Sequence, residues 1–140
     1  MIIRFLLDTN VLSEPTKPFP SNLVIDRLIE NSGQLATATV AYHEFLFGYE
    51  RMKPSRKKRE LEAYIRQNIE GNLPFFPYCD AAAKWHAAER ARLTKQGQTP
   101  PYSDSQIAAI AAVNNLILVT RNIKDFKYFQ DITLENWFDD

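Results

Sequence analysis

Residues 5–14 read FLLDTNVLSE. Three apolar side chains run into a carboxylate, Asp8, and the polar pair Thr9 and Asn10 then leads to apolar Val11 and Leu12. A nearly continuous apolar run, here Ile2–Leu7 interrupted at Arg4, is what a strand covered on both faces requires. The carboxylate stands where that strand ends, the edge at which open parallel sheets gather ligands. Residues 116–122, LILVTRN, repeat the arrangement: an apolar run, Leu116–Thr120, closed by Arg121 and Asn122.

Working outward, three further runs read as strands, Gln34–Ala38, Leu73–Tyr78 and a weaker Ile132–Asn136. Helical segments lie between them at Ser21–Asn31, Val40–Arg51, Arg56–Ile69, Asp80–Lys95 and Asp104–Asn114. Strands alternating with helices predict an α/β fold, a single-domain α/β/α sandwich around a mostly parallel sheet of about five strands. No repeat, low-complexity tract or Gly/Ser linker divides the 140 residues, so 1–140 reads as one domain.

Composition narrows the chemistry. At 45% hydrophobic and 24% charged, the chain can build a packed core. Seventeen basic residues balance seventeen acidic ones, so a polyanionic partner must be held by a local patch. Cys79 is the only cysteine, which excludes an internal disulfide framework and a cysteine zinc site. The apolar run at the start is too short for a signal peptide or a membrane span, so a cytoplasmic protein is expected. The isolated glycines at 33, 48, 71 and 97 form no phosphate-cradling loop.

Three carboxylates stand out. Asp8 either caps a helix beginning near Val11 or faces the strand edge as a ligand. Asp104, in PPYSDSQIAAIAA, follows two prolines; Ser103 and Gln106 form a capping-box pattern, and an acidic first turn suits the helix dipole. The functional reading presents the same carboxylate toward the strand edge. Glu44 shares a narrow stripe with Gly48 and Arg51 on a helix crowded with Tyr42, Phe45, Leu46, Phe47 and Tyr49. That stripe is either a solvent face or an opening beside a carboxylate in a cleft. Asn122, with Asp125 three residues on, is either an ordinary polar loop or the mirror of Asp8.

If folding gathers three carboxylates within about 4–6 Å, each pair at 4 Å repels by up to about 4 kcal/mol at an effective dielectric near 20. Protonation or a bridging cation relieves this, and an all-oxygen donor set selects a hard ion, Mg²⁺ or Mn²⁺. Such a site suits phosphodiester hydrolysis, with the ion activating water and neutralising charge on the phosphate.

The motifs LLDTNVL, HEFLFG near residue 44, SDSQIAAIAA at 104 and LVTRNIKDF near 122 together resemble the PIN domain, and more specifically the VapC-type toxin ribonucleases of toxin–antitoxin operons. The resemblance spans essentially the whole chain, with the motifs in the family's order and spacing. It implies a parallel sheet sandwiched by helices and a Mg²⁺- or Mn²⁺-dependent endoribonuclease acting on structured RNA, with products carrying a 5′-phosphate and a 3′-hydroxyl. Asp8, Glu44 and Asp104 match the family's acidic positions. Asn122 matches a fourth position that is Asp in many relatives, and Asp125 is the candidate substitute. The implied roles are Asp8, Glu44, Asp104 and Asn122 as catalytic residues, Asp8, Glu44, Asp104 and Asp125 as metal ligands, and Thr9, Asn10 and Thr120 as hydrogen-bonding support. A cognate antitoxin and a homodimer are the implied protein partners.

RNA also needs cations. Residues 51–66 hold seven basic side chains against Glu60 and Glu62, and Arg51, Lys53, Arg56 and Lys57 are the candidate RNA-binding residues, unless they form only a solvated helix face. Residues 84–95 add Lys84, Arg90, Arg92 and Lys95. His43, His86 and Cys79 lack partners at catalytic spacing and read as structural. Two competing functions remain. An aspartyl-phosphate phosphatase wants a second Asp where Asn10 stands. A catalytically degenerate PIN domain, binding RNA or protein only, is the reading that Asn122 favours.

Overall fold

The computed structural model describes residues 2–139. Five strands, β1 (Phe5–Leu7), β2 (Leu35–Ala38), β3 (Phe75–Phe76), β4 (Ile117–Val119) and β5 (Thr133–Glu135), form one sheet in the order β3-β2-β1-β4-β5. Every pairing is parallel, so the sheet is wholly rather than mostly parallel. Among the described residues six α-helices flank it: α1 (Thr9–Ser13), α2 (Asn22–Glu30), α3 (Thr39–Glu50), α4 (Arg56–Tyr64), α5 (Asp80–Lys95) and α6 (Tyr102–Val113). None is long and apolar enough to cross a membrane.

The apolar runs become the buried centre. β1 is buried at every residue, as is β2, and Leu6 and Leu118 are fully covered. Ile107 and Ile110 of α6 join the same core, and Trp137 packs its ring edgewise on Phe5 at 5.1 Å. The strands are shorter than their apolar runs because only the central residues of each run pair with a neighbour.

Local signals set the helix ends, with two departures from expectation. Ser21 caps α2 by accepting from Val24 N–H, and Ser55 caps α4 by accepting from Lys58 N–H. The expected single helix over 56–69 changes pitch after Tyr64, where Glu70 N–H bonds to Ile65 O five residues back. That turn lets both Ile65 and Ile69 point into the core. The capping box at Ser103 and Gln106 does not form: α6 begins at Tyr102 with Pro101 at the cap position, and Ser105 Oγ donates to Pro101 O at 2.8 Å. Proline needs no N–H partner there, so the helix starts earlier than the serine suggests.

Strand order reverses between β1 and β4, the sheet's switch point. Leu7 lies opposite Val119, and Asp8 N–H donates to Val119 O at 3.0 Å. Asp8 and Thr120 therefore leave their strands side by side.

Candidate active site

Asp8 is buried at 7% exposure and held from several directions. Oδ1 accepts from Thr9 N–H at 2.8 Å, the cap of α1, which begins at Thr9 and not near Val11. Oδ2 accepts from the Thr120 hydroxyl at 2.8 Å and, at 3.4 Å, from Asn10 Nδ2. Capping and site placement therefore coexist in one carboxylate. Burial raises its pKa, the Thr120, Thr9 and Asn10 donors pull the other way, and the charge of Glu44 adds to the rise.

Thr9, Asn10 and Thr120 form one network across the switch point. Asn10 Oδ1 accepts from Arg121 N–H at 3.1 Å, and Asn10 Nδ2 lies 3.4 Å from Thr120 Oγ1. Thr120 Oγ1 also accepts from Asn122 N–H at 3.1 Å. Thr9 Oγ1 turns to α3 and donates to Glu44 Oε2 at 3.0 Å, so the glutamate stands on the same side of the molecule as Asp8. Gly48, one turn further along α3, has open space where a side chain would begin. With Glu44, Thr9, Ser13 and Leu61 it lines a cavity of about 250 Å³. The stripe of Glu44 and Gly48 thus faces a cleft.

Asp104, in the first turn of α6, completes the group. Burial, then the charges of Asp8, Asp125 and Glu44, push its carboxyl from the ordinary 3.8 up to about 6. Asp104 thus feels charges from the cap of α1, from α3 and from the turn after β4. Asp125 closes a short 3₁₀ turn, Ile123–Asp125, and acts on Asp104 more strongly than Glu44 does. Asn122 is exposed and joins the network through its backbone N–H.

Among the described residues no three His, Cys, Asp or Glu side chains form a ready-made metal cage. The donor set is nonetheless all oxygen, half buried and self-repelling, as the raised Asp104 shows. That chemistry fits a hard divalent ion, which keeps several waters and takes only one or two carboxylates directly.

The model of the PIN domain matches residues 5–131. The chain belongs to the PIN domain family. Among PIN domain proteins it is of the VapC type: it is 30% identical to the tRNA(fMet)-specific endonuclease VapC of Shigella flexneri, over 97% of this chain and 99% of that protein. It is 33% identical to Toxin FitB of Neisseria gonorrhoeae, over 96% of this chain and 99% of that one. A solved FitAB complex bound to a DNA fragment superimposes with a TM-score of 0.85 at 26% identity, covering 96% of both chains.

Around this PIN domain site the expected RNA-binding cations are exposed but partly engaged. Arg51 stacks on the Phe47 ring at 4.8 Å, Arg56 pairs with Glu60 at 3.2 Å, and Lys57 Nζ bonds to Thr16 O. Lys53 is exposed. α4, which carries Lys57, also lines the Glu44 cavity through Leu61. Of the aromatic set on α3, Phe45 is core, Phe47 is 55% exposed, and Tyr42 and Tyr49 are half-buried. His86 is buried, with Tyr78 OH at 2.8 Å from Nδ1, in keeping with a structural part.

Sequence reasoning missed the buried acids Glu14 and Glu89. Glu14 accepts from Ser21 N–H at 2.8 Å and pairs with Lys17 at 2.9 Å, which ties α1 to α2. Glu89 pairs with Arg92 at 2.7 Å under the segment that follows Asp125. Their only local signal is an i,i+3 cation, which exposed helices share.

Proposed function

We propose that this chain is the toxin of a toxin–antitoxin pair and a Mg²⁺- or Mn²⁺-dependent endoribonuclease that hydrolyses phosphodiester bonds of structured RNA. The observation that carries the reading is the placement of Asp8 and Glu44 on either side of Thr9 at the carboxyl edge of the sheet, with Asp104 feeling both of their charges and that of Asp125. Membership in the PIN domain family and likeness to relatives named VapC and FitB support it.

Asp8 and Asp104 are the residues to hold the cation, with Glu44 as ligand or water-orienting base and Asp125 filling the position that Asn122 leaves without charge. When bound, the ion activates water and neutralises charge on the phosphate. The chain's own part is positioning. The Thr9 amide and the Thr120 hydroxyl fix one oxygen each of Asp8, so its carboxylate cannot rotate away. The Thr9 hydroxyl fixes Glu44 in the same way. Asn10 ties the ends of β1 and β4 together and keeps the two walls of the cleft at constant separation. Burial and the neighbouring charges raise the Asp104 carboxyl to about 6 and also raise that of Asp8, so both bind protons more readily than free aspartates. Arg51, Lys53, Arg56 and Lys57 attract the phosphate backbone beside the cleft. In-line attack by water, not by the 2′-hydroxyl, leaves a 5′-phosphate and a 3′-hydroxyl.

A cognate antitoxin inhibits by placing a cationic side chain among these carboxylates in competition with the ion. Exposed Leu23, Ile29 and Phe47 supply apolar surface for that protein and for a second copy in a homodimer. Action on RNA goes with a cytoplasmic location.

The test is cleavage of total RNA with Mn²⁺, with and without EDTA, by the wild type and by Asp8→Ala and Asp104→Ala. Cleavage that EDTA abolishes, and that both variants lack while keeping a wild-type circular dichroism spectrum, is the expected result. Activity retained by either folded variant refutes the assignment, and an inactive wild type favours a binding module.

A further inference from the structure

The loop of Lys17, Pro18, Phe19 and Pro20 joins the 3₁₀ turn Glu14–Thr16 to α2. Phe19 is 94% exposed, the most exposed large apolar side chain among the described residues, so both faces of its ring are open. The loop holds it there. Pro18 and Pro20 fix their own φ, and Pro20 also disfavours a helical conformation at Phe19. The buried Glu14 closes the loop, accepting from Ser21 N–H at 2.8 Å and pairing with Lys17 at 2.9 Å. Thr16 is pinned as well: its Oγ1 donates to Ser13 O at 2.6 Å, and its carbonyl accepts from Lys57 Nζ.

Thr16 also ties this loop to the candidate active site. With Thr9, Ser13 and Glu44 it lines the cavity of about 250 Å³. Together with Lys57 it lines a second cavity of about 200 Å³, and Leu61 is common to both. A track therefore runs from Glu44 past Thr16 to Lys57. Three residues on from Thr16 comes Phe19, and three residues of fully extended chain span at most about 11 Å. The Phe19 backbone stands within that reach of the cavity wall, with Lys17 on the same loop and Lys57 against Thr16 O.

We propose that Phe19 is a substrate-positioning residue whose ring stacks on an unpaired base of the RNA near the scissile phosphate, with Lys17 and Lys57 beside it facing the strand's phosphates. Carboxylates in the cleft repel a phosphate backbone, so affinity for the strand has to come from groups at the rim. A flat ring between cations suits a planar base flanked by phosphates, and stacking on splayed bases is how proteins commonly hold RNA outside a duplex. The inference rests on the ribonuclease reading, and it adds to that reading the part of the substrate that is gripped.

The experiment reads binding by anisotropy, in the Asp104→Asn background, of a fluorescein-labelled single-stranded oligoribonucleotide of mixed sequence and of an abasic strand of equal length. Cleavage of the first is read in the otherwise wild-type chain. Phe19→Ala is expected to weaken binding of the oligoribonucleotide and to raise KM by roughly five- to thirty-fold, within the span of base–aromatic stacking, with kcat within about twofold. Binding of the abasic strand, which offers phosphates and no base, should not change. Phe19→Trp should restore both readings, and Phe19→Leu, apolar but not planar, should restore neither. Equal binding by Phe19→Ala and its parent overturns the proposal, as does an equal loss for the abasic strand or rescue by leucine. A wild-type dimer that Phe19→Ala converts to a monomer while RNA affinity holds assigns the ring to a protein interface and overturns the proposal too. Wild-type binding without cleavage overturns the nuclease reading instead, and the anisotropy comparison still decides the role of Phe19.

Discussion

Replacing Asp104 by asparagine should make the metal-free protein more stable, although it removes a carboxylate proposed above to hold the cation. In the fold the carboxyl is raised from 3.8 to about 6 by burial and by Asp8, Asp125 and Glu44. The folded state therefore holds this proton more tightly than the unfolded chain does. Stability from Asp104 is full below the unfolded value, falls as pH rises through the window between 3.8 and about 6, and stays low above it. A shift of about two units corresponds to about 3 kcal/mol at 1.36 kcal/mol per unit, and solvent access to a half-buried group reduces this to about 1–2 kcal/mol. Asparagine keeps the shape and carries no charge, so at pH 8 in EDTA the variant should gain that amount, or about 3–8 °C in Tm for a chain of this size. The assay is thermal and urea unfolding of both proteins from pH 4 to 8. The gain should be close to zero at pH 4 and reach its plateau above pH 6. Millimolar Mg²⁺ or Mn²⁺ should then raise the Tm of the wild type and leave that of the variant in place. A variant equally or less stable at pH 8, or a difference that ignores pH, would refute the electrostatic account of the cluster.

Two other substitutions probe the support beneath the site. Thr120→Val removes the hydroxyl that donates to Asp8 Oδ2 and accepts from Asn122 N–H, so cleavage should fall about 10–100-fold with about 1–2 kcal/mol lost in urea unfolding, and Thr120→Ser should recover most of both. Glu89→Ala leaves Arg92 without its partner beneath residues 128–130 and should cost about 2–3 kcal/mol. The Arg92 hydrogen bonds hold the Glu89 pKa down, so the stability it adds is present above the ordinary glutamate range and lost as pH falls through the folded value. That acid-side loss, read from urea midpoints between pH 3 and 7, should be smaller in the variant.

Much of the architecture was legible because it depends on local pattern. The apolar runs around Leu6 and Leu118 admit only strands covered on both faces, and their polar ends had to fall at the sheet's edge. The local readings of Asp8 and Asp104 were not rivals of the functional ones. Asp8 caps α1 with one oxygen and meets Thr120 with the other, and Asp104 lies in a helix's first turn while feeling three other carboxylates. Glu44 was harder to place, since its helix is apolar on most sides; the Thr9 hydroxyl and the open space at Gly48 settle which side faces the cleft. The fourth position stayed open in sequence because Asn122 and Asp125 share one short turn; in the fold Asn122 enters the network through its backbone N–H, and the charge of Asp125 acts on Asp104.

Hydropathy and spacing alone therefore determined that this polypeptide forms a helix-covered parallel sheet with acidic residues at its rim. Both features follow from which side chains water rejects along a few successive residues. The tertiary structure decided that Thr9 links Asp8 to Glu44, that Asp104 feels three other carboxylates, and that Glu89 is buried beneath residues 128–130 when its spacing to Arg92 suggests a wetted helix. The reason is that each of these depends on contacts between segments far apart along the chain, and the energy of a charge is set by everything that surrounds it.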